Sequence, residues 1–165
     1  MSLRQYLSAH LDSHHVAKVL YGAIIGLALI FSLERHPPGA QEMVLLLLGT
    51  AFTVALAEVF SDVIGTESHK HRRIQRREVR EICAASAAVA FGIAFPVVFF
   101  ELAALGAMQL GTAFDVAEWS GIALTAFYGW SAARLAGQGH LAAALQACAV
   151  ALIGAAVIGL KVLTH

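Results

Sequence analysis

Residues 43–62 have the sequence MVLLLLGTAFTVALAEVFSD, an apolar stretch that ends with two acidic residues four positions apart. An α-helix needs about 20 apolar residues to cross the hydrocarbon of a bilayer. Residues separated by four positions share one face of a helix, so we expect Glu58 and Asp62 on the same face. The stretch therefore predicts a membrane helix that carries two carboxylates near one end.

The composition of the whole chain predicts an integral membrane protein. Hydrophobic residues make up 59% of the 165 residues, charged residues only 13%, and the mean hydropathy is +0.73. A soluble domain has about 25% charged residues, so this content is too low for one. Within a transmembrane domain of residues 17–165, five apolar segments have the length of a span: 17–33, 43–64, 82–105, 116–135 and 141–162. Because lipid offers no hydrogen-bond partners and the segments are too long for barrel strands, we expect five transmembrane helices and an all-α fold.

The segments outside and within the spans carry further structural patterns. In residues 1–16, leucine recurs every four positions from Leu3 to Leu11, which is typical of an amphipathic helix in the membrane interface. The sequence RHPPG at residues 35–39 predicts a turn between the first two spans, because proline and glycine do not continue a helix. Pro96 in the middle of the third span predicts a kink.

The distribution of basic residues predicts the orientation in the membrane. With the N-terminus in the cytoplasm, nine of the eleven Lys and Arg residues lie on the cytoplasmic side: Arg4, Lys18, Lys70, Arg72, Arg73, Arg76, Arg77, Arg80 and Arg134. This asymmetry follows the positive-inside rule and places the C-terminus outside, and we expect a bacterial inner membrane. The basic segment HKHRRIQRREVRE, residues 69–81, is also expected to attract anionic lipids. No nucleic-acid-binding signature accompanies this charge, so no nucleic acid is expected as a partner.

Glu58 is the strongest candidate for a functional residue. It is the sixteenth residue counted from Met43, which places it inside the hydrocarbon, about 6 Å past the midpoint of the span at 1.5 Å per residue. An ionised carboxylate costs about 3 kcal/mol there, so it should face protein or water and act as a metal ligand or proton carrier. The alternative is a hydrogen bond to Ser or Thr of a neighbouring helix. Asp62 lies one turn closer to the cytoplasm, where it either binds the ion or marks the end of the span.

Weaker metal-site candidates follow in the same region. Glu67, His69 and His71 lie close together in the sequence at the predicted cytoplasmic mouth, and carboxylate and imidazole groups are common metal ligands. The alternative is that these residues are simply exposed to water, because they follow the end of the span.

Gly22 and Gly26 form a GxxxG pattern in the first span. Small residues at this spacing let two membrane helices approach closely. The contact is either between two copies of the chain, which predicts a homodimer, or between two helices of one chain.

Three stretches of the chain resemble the vacuolar iron transporter (VIT) family. TAFTVALAEVFSD (50–62) is similar to the second helix of that family, and AVAFGIAFPVVFFELAALG (88–106) is similar to the third, with its glycine and central proline. FYGWSAARLAGQGHLAAALQACAVALIGAAVIGLKVL (127–163) resembles the fourth helix, the short loop and the fifth helix.

The resemblance implies a VIT-like homodimer that moves Fe²⁺ or Mn²⁺ out of the cytoplasm in exchange for protons along the dimer interface. The chain differs from the family pattern at Tyr21, where an Asp is usual, and at Val54, where a Met is usual. A short basic segment also replaces the family's acidic extension. Glu58 is then the ligand that the resemblance carries over, and two copies of it across a dimer axis would supply two carboxylates.

The sequence leaves two classes of function open. The first is proton-coupled transport of a divalent cation, Fe²⁺ or Mn²⁺, with Glu58 as ligand and proton carrier and Asp62 at the mouth. The second is a VIT-like membrane scaffold that does not transport and whose basic loop binds lipid or a protein partner. No nucleophile and base set or cofactor motif is present, so we expect neither an enzyme nor a permanently bound cofactor.

Overall fold

The computed structural model describes residues 13–149 and residue 152, and these residues form helices and connecting turns without a β-strand. Five helices are described in this part of the chain, and a sixth begins at His140 and is described as far as Ala149. They are α1 (Ser13–Leu33), α2 (Ala40–Lys70), α3 (Arg76–Ala94), α4 (Val97–Ala104), α5 (Leu110–Leu135) and α6 (His140–Ala149). The all-α prediction is confirmed for the described residues.

Two helices are long and apolar enough to cross a membrane. They are α2 and the part of α1 from His15 to Leu33, and α3 with α4 makes a third candidate if this bent pair is one span. The apolar residues of α5 are mixed with Glu118 and with several Gly, Ser, Thr and Trp residues, which lowers its hydropathy. Membrane-compatible helices are thus present, while the fourth and fifth predicted spans, 116–135 and 141–162, stay predictions.

Parts of two predicted segments lie outside the described residues. The proposed interfacial segment 1–16 is described only from Ser13, the first described residue of α1. The fifth predicted span is described as far as Ala149 and at Leu152.

The predicted turn and the predicted kink both coincide with breaks between helices. Residues 34–39 separate α1 from α2, as the two prolines of this segment predict. At Pro96, α3 and α4 are bent by 45° relative to each other. Proline has no N–H to donate to the carbonyl of Gly92, so the helical hydrogen-bond ladder is interrupted there and resumes where Phe99 N–H donates to the Pro96 carbonyl at 3.0 Å.

The main packing contact of α1 is with α3, and glycines bring these helices together. A Cβ atom at Gly22 would lie 2.1 Å from the Val89 carbonyl oxygen, and one at Gly92 would lie 2.4 Å from the Val19 carbonyl oxygen. The backbones therefore touch where they cross. Gly22 and Gly26 thus make an intramolecular contact, which is the alternative to the dimer contact that the sequence left open, and a homodimer would have to use another surface.

The interior is divided between two groups of apolar residues. One lies where α1, α2, α4 and α5 meet, and there the rings of Phe100 and Phe114 pack edge to face with centroids 5.0 Å apart. The other joins Ala51 of α2 to Val89 and Ile93 of α3. The opposite side of α2 presents a continuous exposed apolar stripe of Leu45, Leu48, Phe52, Leu56, Phe60 and Ile64. An apolar surface of this length suits contact with lipid.

Candidate functional site

Glu58 and Asp62 share one face of α2, as their spacing predicts, and this face packs into the bundle. The same face is buried earlier in the helix at Met43, Leu47 and Ala51, and it continues at the helical period to the two carboxylates. Both side chains are partly shielded, with 18% of Glu58 and 37% of Asp62 exposed. The amphipathic face that packs α2 into the bundle therefore delivers two acidic groups to its interior.

Lys18 of α1 is the partner of both carboxylates. Its Nζ donates a hydrogen bond to Glu58 Oε2 and lies 3.5 Å from Asp62 Oδ2. The lysine side chain is itself only 19% exposed. Three charged groups that would each be costly to shield alone are thus held together, and removing Lys18 would leave the two carboxylates without their counter-charge. We call Lys18, Glu58 and Asp62 the charged triad.

An open cleft of about 1060 Å³ lies beside the charged triad. Its walls come from the start of α1, the second half of α2 and the start of α3. The residues that line it include Lys18, Asp62, Ser61, Thr66, His69 and Arg80. On the α3 side the wall contains Ala84 and Ala85, whose small side chains leave space between the helices. The cleft thus connects the triad with the end of the bundle that carries the basic segment.

Glu67 has a structural partner in the turn between α2 and α3. Its Oε1 accepts a hydrogen bond from the Ile74 backbone N–H at 3.0 Å. This contact fixes the chain directly after α2, where His71 adopts a left-handed conformation with φ 49°. The geometry accounts for Glu67 without a metal ion.

Glu78 is the centre of the ion pairs at this end of the molecule, and it lies four residues before the predicted span that begins at residue 82. It accepts hydrogen bonds from Arg72 at 2.7 and 3.1 Å, from Lys70 at 2.5 Å and from the Gln75 backbone N–H at 2.8 Å. The hydrogen bonds from Arg72, Lys70 and Gln75 lower the pKa of Glu78 to about 2. The hydrogen bond between Arg72 and Glu78 also raises the pKa of Arg72. Glu78 therefore fastens the basic turn to the first turn of α3, where it also completes a capping box with Gln75.

The two histidine candidates differ in their position relative to the cleft. His69 lines the cleft, whereas His71 is an exposed residue at the C-cap of α2. Within the residues that the structure describes, no group of three or more His, Cys, Asp or Glu side chains is close enough to hold a metal ion. The structure therefore does not bring Glu58, Asp62, Glu67, His69 and His71 together as one ligand set.

Lys18 is the site residue that the sequence analysis missed. In the sequence, Lys18 served only as one of the positive charges that predict the orientation in the membrane. A signal was nevertheless present, because Lys18 falls within the first predicted span, 17–33, and an ionisable group in a span normally has a partner.

No protein-family model, curated protein or solved structure matches this chain. The resemblance to the VIT family therefore rests on the sequence stretches alone.

Proposed function

We propose that this protein is a proton-coupled transporter that moves a divalent cation, Fe²⁺ or Mn²⁺, out of the cytoplasm. The observation that carries the proposal is the charged triad, whose Lys18 and Asp62 line an open cleft, between helices apolar enough to span a membrane. Ionisable groups inside a membrane domain are costly and are a default indication of an ion pathway.

The carboxylates supply the chemistry that a divalent cation requires. Fe²⁺ and Mn²⁺ accept oxygen ligands, and Glu58 and Asp62 offer four carboxylate oxygens one helical turn apart. Water and the hydroxyl groups of Ser61 and Thr66 in the cleft can complete the coordination of an ion that enters. Each carboxylate also binds a proton, so the same groups can carry protons in the opposite direction. In this mechanism Glu58 is both ligand and proton carrier, and Asp62 receives the ion first.

Assembly and orientation are parts of the same proposal. In this proposal the protein lies in the inner membrane of a bacterium with its N-terminus in the cytoplasm. The functional unit is a homodimer. Because Gly22 and Gly26 are buried against α3, the dimer contact would lie elsewhere on the bundle. Chemical crosslinking of purified protein across a range of detergent dilutions tests the dimer independently of transport.

The experiment that tests transport is uptake of Mn²⁺ into proteoliposomes across a proton gradient. Glu58→Gln keeps the shape of the side chain but removes its charge, so transport should stop while the protein still folds. Glu42→Gln is the matched control, because it is the same substitution at an exposed position in the first turn of α2. If Glu58→Gln transports as fast as Glu42→Gln, the transport proposal is wrong.

The second candidate function is a membrane scaffold that binds lipid through its basic segment. One observation favours it: Lys18 already neutralises part of the charge of Glu58 and Asp62, as a purely structural ion pair would. Lys70, Arg72 and Arg77 of the basic segment are engaged by Glu78 and Glu81.

The remaining arginines of the segment form the surface that would meet anionic lipid. Arg73, Arg76 and Arg80 are exposed, and in the part of the chain that the structure describes no acidic side chain forms an ion pair with them. Replacing all three with Gln should abolish the thermal stabilisation that anionic phosphatidylglycerol confers on the detergent-purified protein, relative to neutral phosphatidylcholine. Equal stabilisation of the variant and the wild type would exclude this surface.

A further inference from the structure

Lys18 places its ammonium group beside both carboxylates of the proposed ion site. Its ammonium group contacts a carboxylate oxygen of Glu58 and lies 3.5 Å from one of Asp62. We propose that Lys18 is an internal competitor for the transported cation, so that a divalent ion binds Glu58 and Asp62 only by displacing the ammonium group. This inference rests on the proposed cation transport and identifies a residue that sets the affinity of that site for the ion.

The side chain and its surroundings allow such a displacement. Lysine carries its charge at the end of a flexible four-carbon stem and is a strongly hydrated point charge, unlike the planar guanidinium of arginine. Lys18 also lines the open cleft, as do Ser61 and Thr66, whose side chains carry hydroxyl groups. The ammonium group can therefore leave the carboxylates and remain hydrated without unfolding the helix that carries it.

The charges of the triad explain what the competitor achieves. With Lys18 in place, the two carboxylates and the ammonium group together carry one negative charge, so the empty site does not expose two uncompensated carboxylates. When Lys18 is displaced, two negative charges face the incoming ion. A divalent cation then gains about twice the Coulomb energy of a monovalent one at equal distance, because this energy is proportional to the charge. The cost of displacing Lys18 is the same for both ions, so Lys18 lowers the affinity for each, and the larger Coulomb gain of the divalent ion offsets this cost more fully.

Binding of Mn²⁺ to the purified protein, followed by the loss of the free-ion electron paramagnetic resonance signal, tests this inference without a transport assay. Lys18→Met keeps an unbranched apolar stem and removes the competing charge, so Mn²⁺ should bind about tenfold more tightly, equivalent to about 1.4 kcal/mol. Lys70→Met is the matched control, because Lys70 lines the same cleft but pairs with Glu78. The affinity of Lys70→Met for Mn²⁺ should stay within about twofold of the wild type, equivalent to about 0.4 kcal/mol.

A second measurement on the wild-type protein covers the case in which Lys18→Met does not fold. Amine acylation followed by peptide mass spectrometry reports how accessible each lysine is. Saturating Mn²⁺ should increase the acylation of Lys18, because its ammonium group is released from the carboxylates, and should leave that of Lys70 unchanged. Unchanged acylation of Lys18 with bound Mn²⁺ would overturn the displacement.

The possible outcomes separate this inference from the proposed function. If the wild type binds Mn²⁺ and Lys18→Met binds it equally or more weakly, Lys18 is not a competitor, while transport still stands. An equal increase in Mn²⁺ affinity in Lys18→Met and Lys70→Met would show that removing any positive charge near the cleft has this effect. That result would also overturn the inference. Binding to Lys18→Met but not to the wild type would support the competitor and contradict transport of Mn²⁺. Absence of binding to both would overturn both.

Discussion

Replacing Gly22 with alanine should weaken the packing of α1 on α3. The added Cβ would lie 2.1 Å from the Val89 carbonyl oxygen, more than 1 Å inside the 3.4 Å at which ordinary contacts begin. The atom it meets belongs to the backbone of α3, so no side chain can rotate away. The two helices must therefore separate or slide, and the interdigitated contacts between them are lost.

The structure provides a graded series for this effect. Overpacking costs about 1–3 kcal/mol, and alanine regains up to about 1 kcal/mol over glycine within a helix. We expect Gly22→Ala to be destabilised by about 1–2 kcal/mol. At Gly26 the new Cβ would lie 3.2 Å from Ile93, so the neighbour has to yield only slightly and Gly26→Ala should be near neutral. At Gly49 nothing lies within 4 Å, so Gly49→Ala should be neutral or slightly stabilising.

Unfolding of the purified protein by sodium dodecyl sulfate in mixed micelles measures these differences as free energies. Because the contact lies within one chain, the order of stability should be the same at every protein concentration. The reasoning would be refuted if Gly22→Ala were as stable as Gly49→Ala. A loss of stability that disappears at high protein concentration would instead place Gly22 at a contact between two copies.

Three further predictions concern orientation, pH and the helix break. A cysteine at Gln75, in a chain whose exposed Cys83 and Cys148 are replaced by Ser, should resist an impermeant thiol reagent in intact cells; labelling from outside would reverse the topology. Because the pKa of Glu78 is lowered, its ion pairs should stabilise the wild type over Glu78→Gln above pH 4.5. This difference in thermal midpoint should vanish as the pH falls to about 2, and a constant difference would contradict the role of the carboxylate charge. Pro96→Ala should reduce the 45° bend, seen as a longer distance between spin labels on α3 and α4, whereas an unchanged distance would assign the bend to packing.

The two carboxylates of the candidate site could be predicted from the sequence, but their partner could not. Spacing alone puts Glu58 and Asp62 on one helix face, because residues four positions apart are neighbours on any α-helix. Their partner Lys18 is 40 residues away from Glu58 in the sequence, and no local pattern links the two positions. Only the packing of α1 and α2 around α3 decides that the ammonium group reaches the carboxylates.

The sequence alone was enough to predict the properties that depend only on residues close together along the chain. These are the apolar helices, the turn at residues 35–39 and the interruption at Pro96. Hydropathy, helical period and the missing N–H of proline act locally, so they do not depend on the rest of the fold. The role of Gly22 is different, because a GxxxG pattern shows that some helix approaches closely without showing which one. The sequence likewise does not show that the carboxylate of Glu67 accepts a hydrogen bond from the Ile74 N–H. These choices depend on how the helices cross, and the crossing results from the packing of all of them at once.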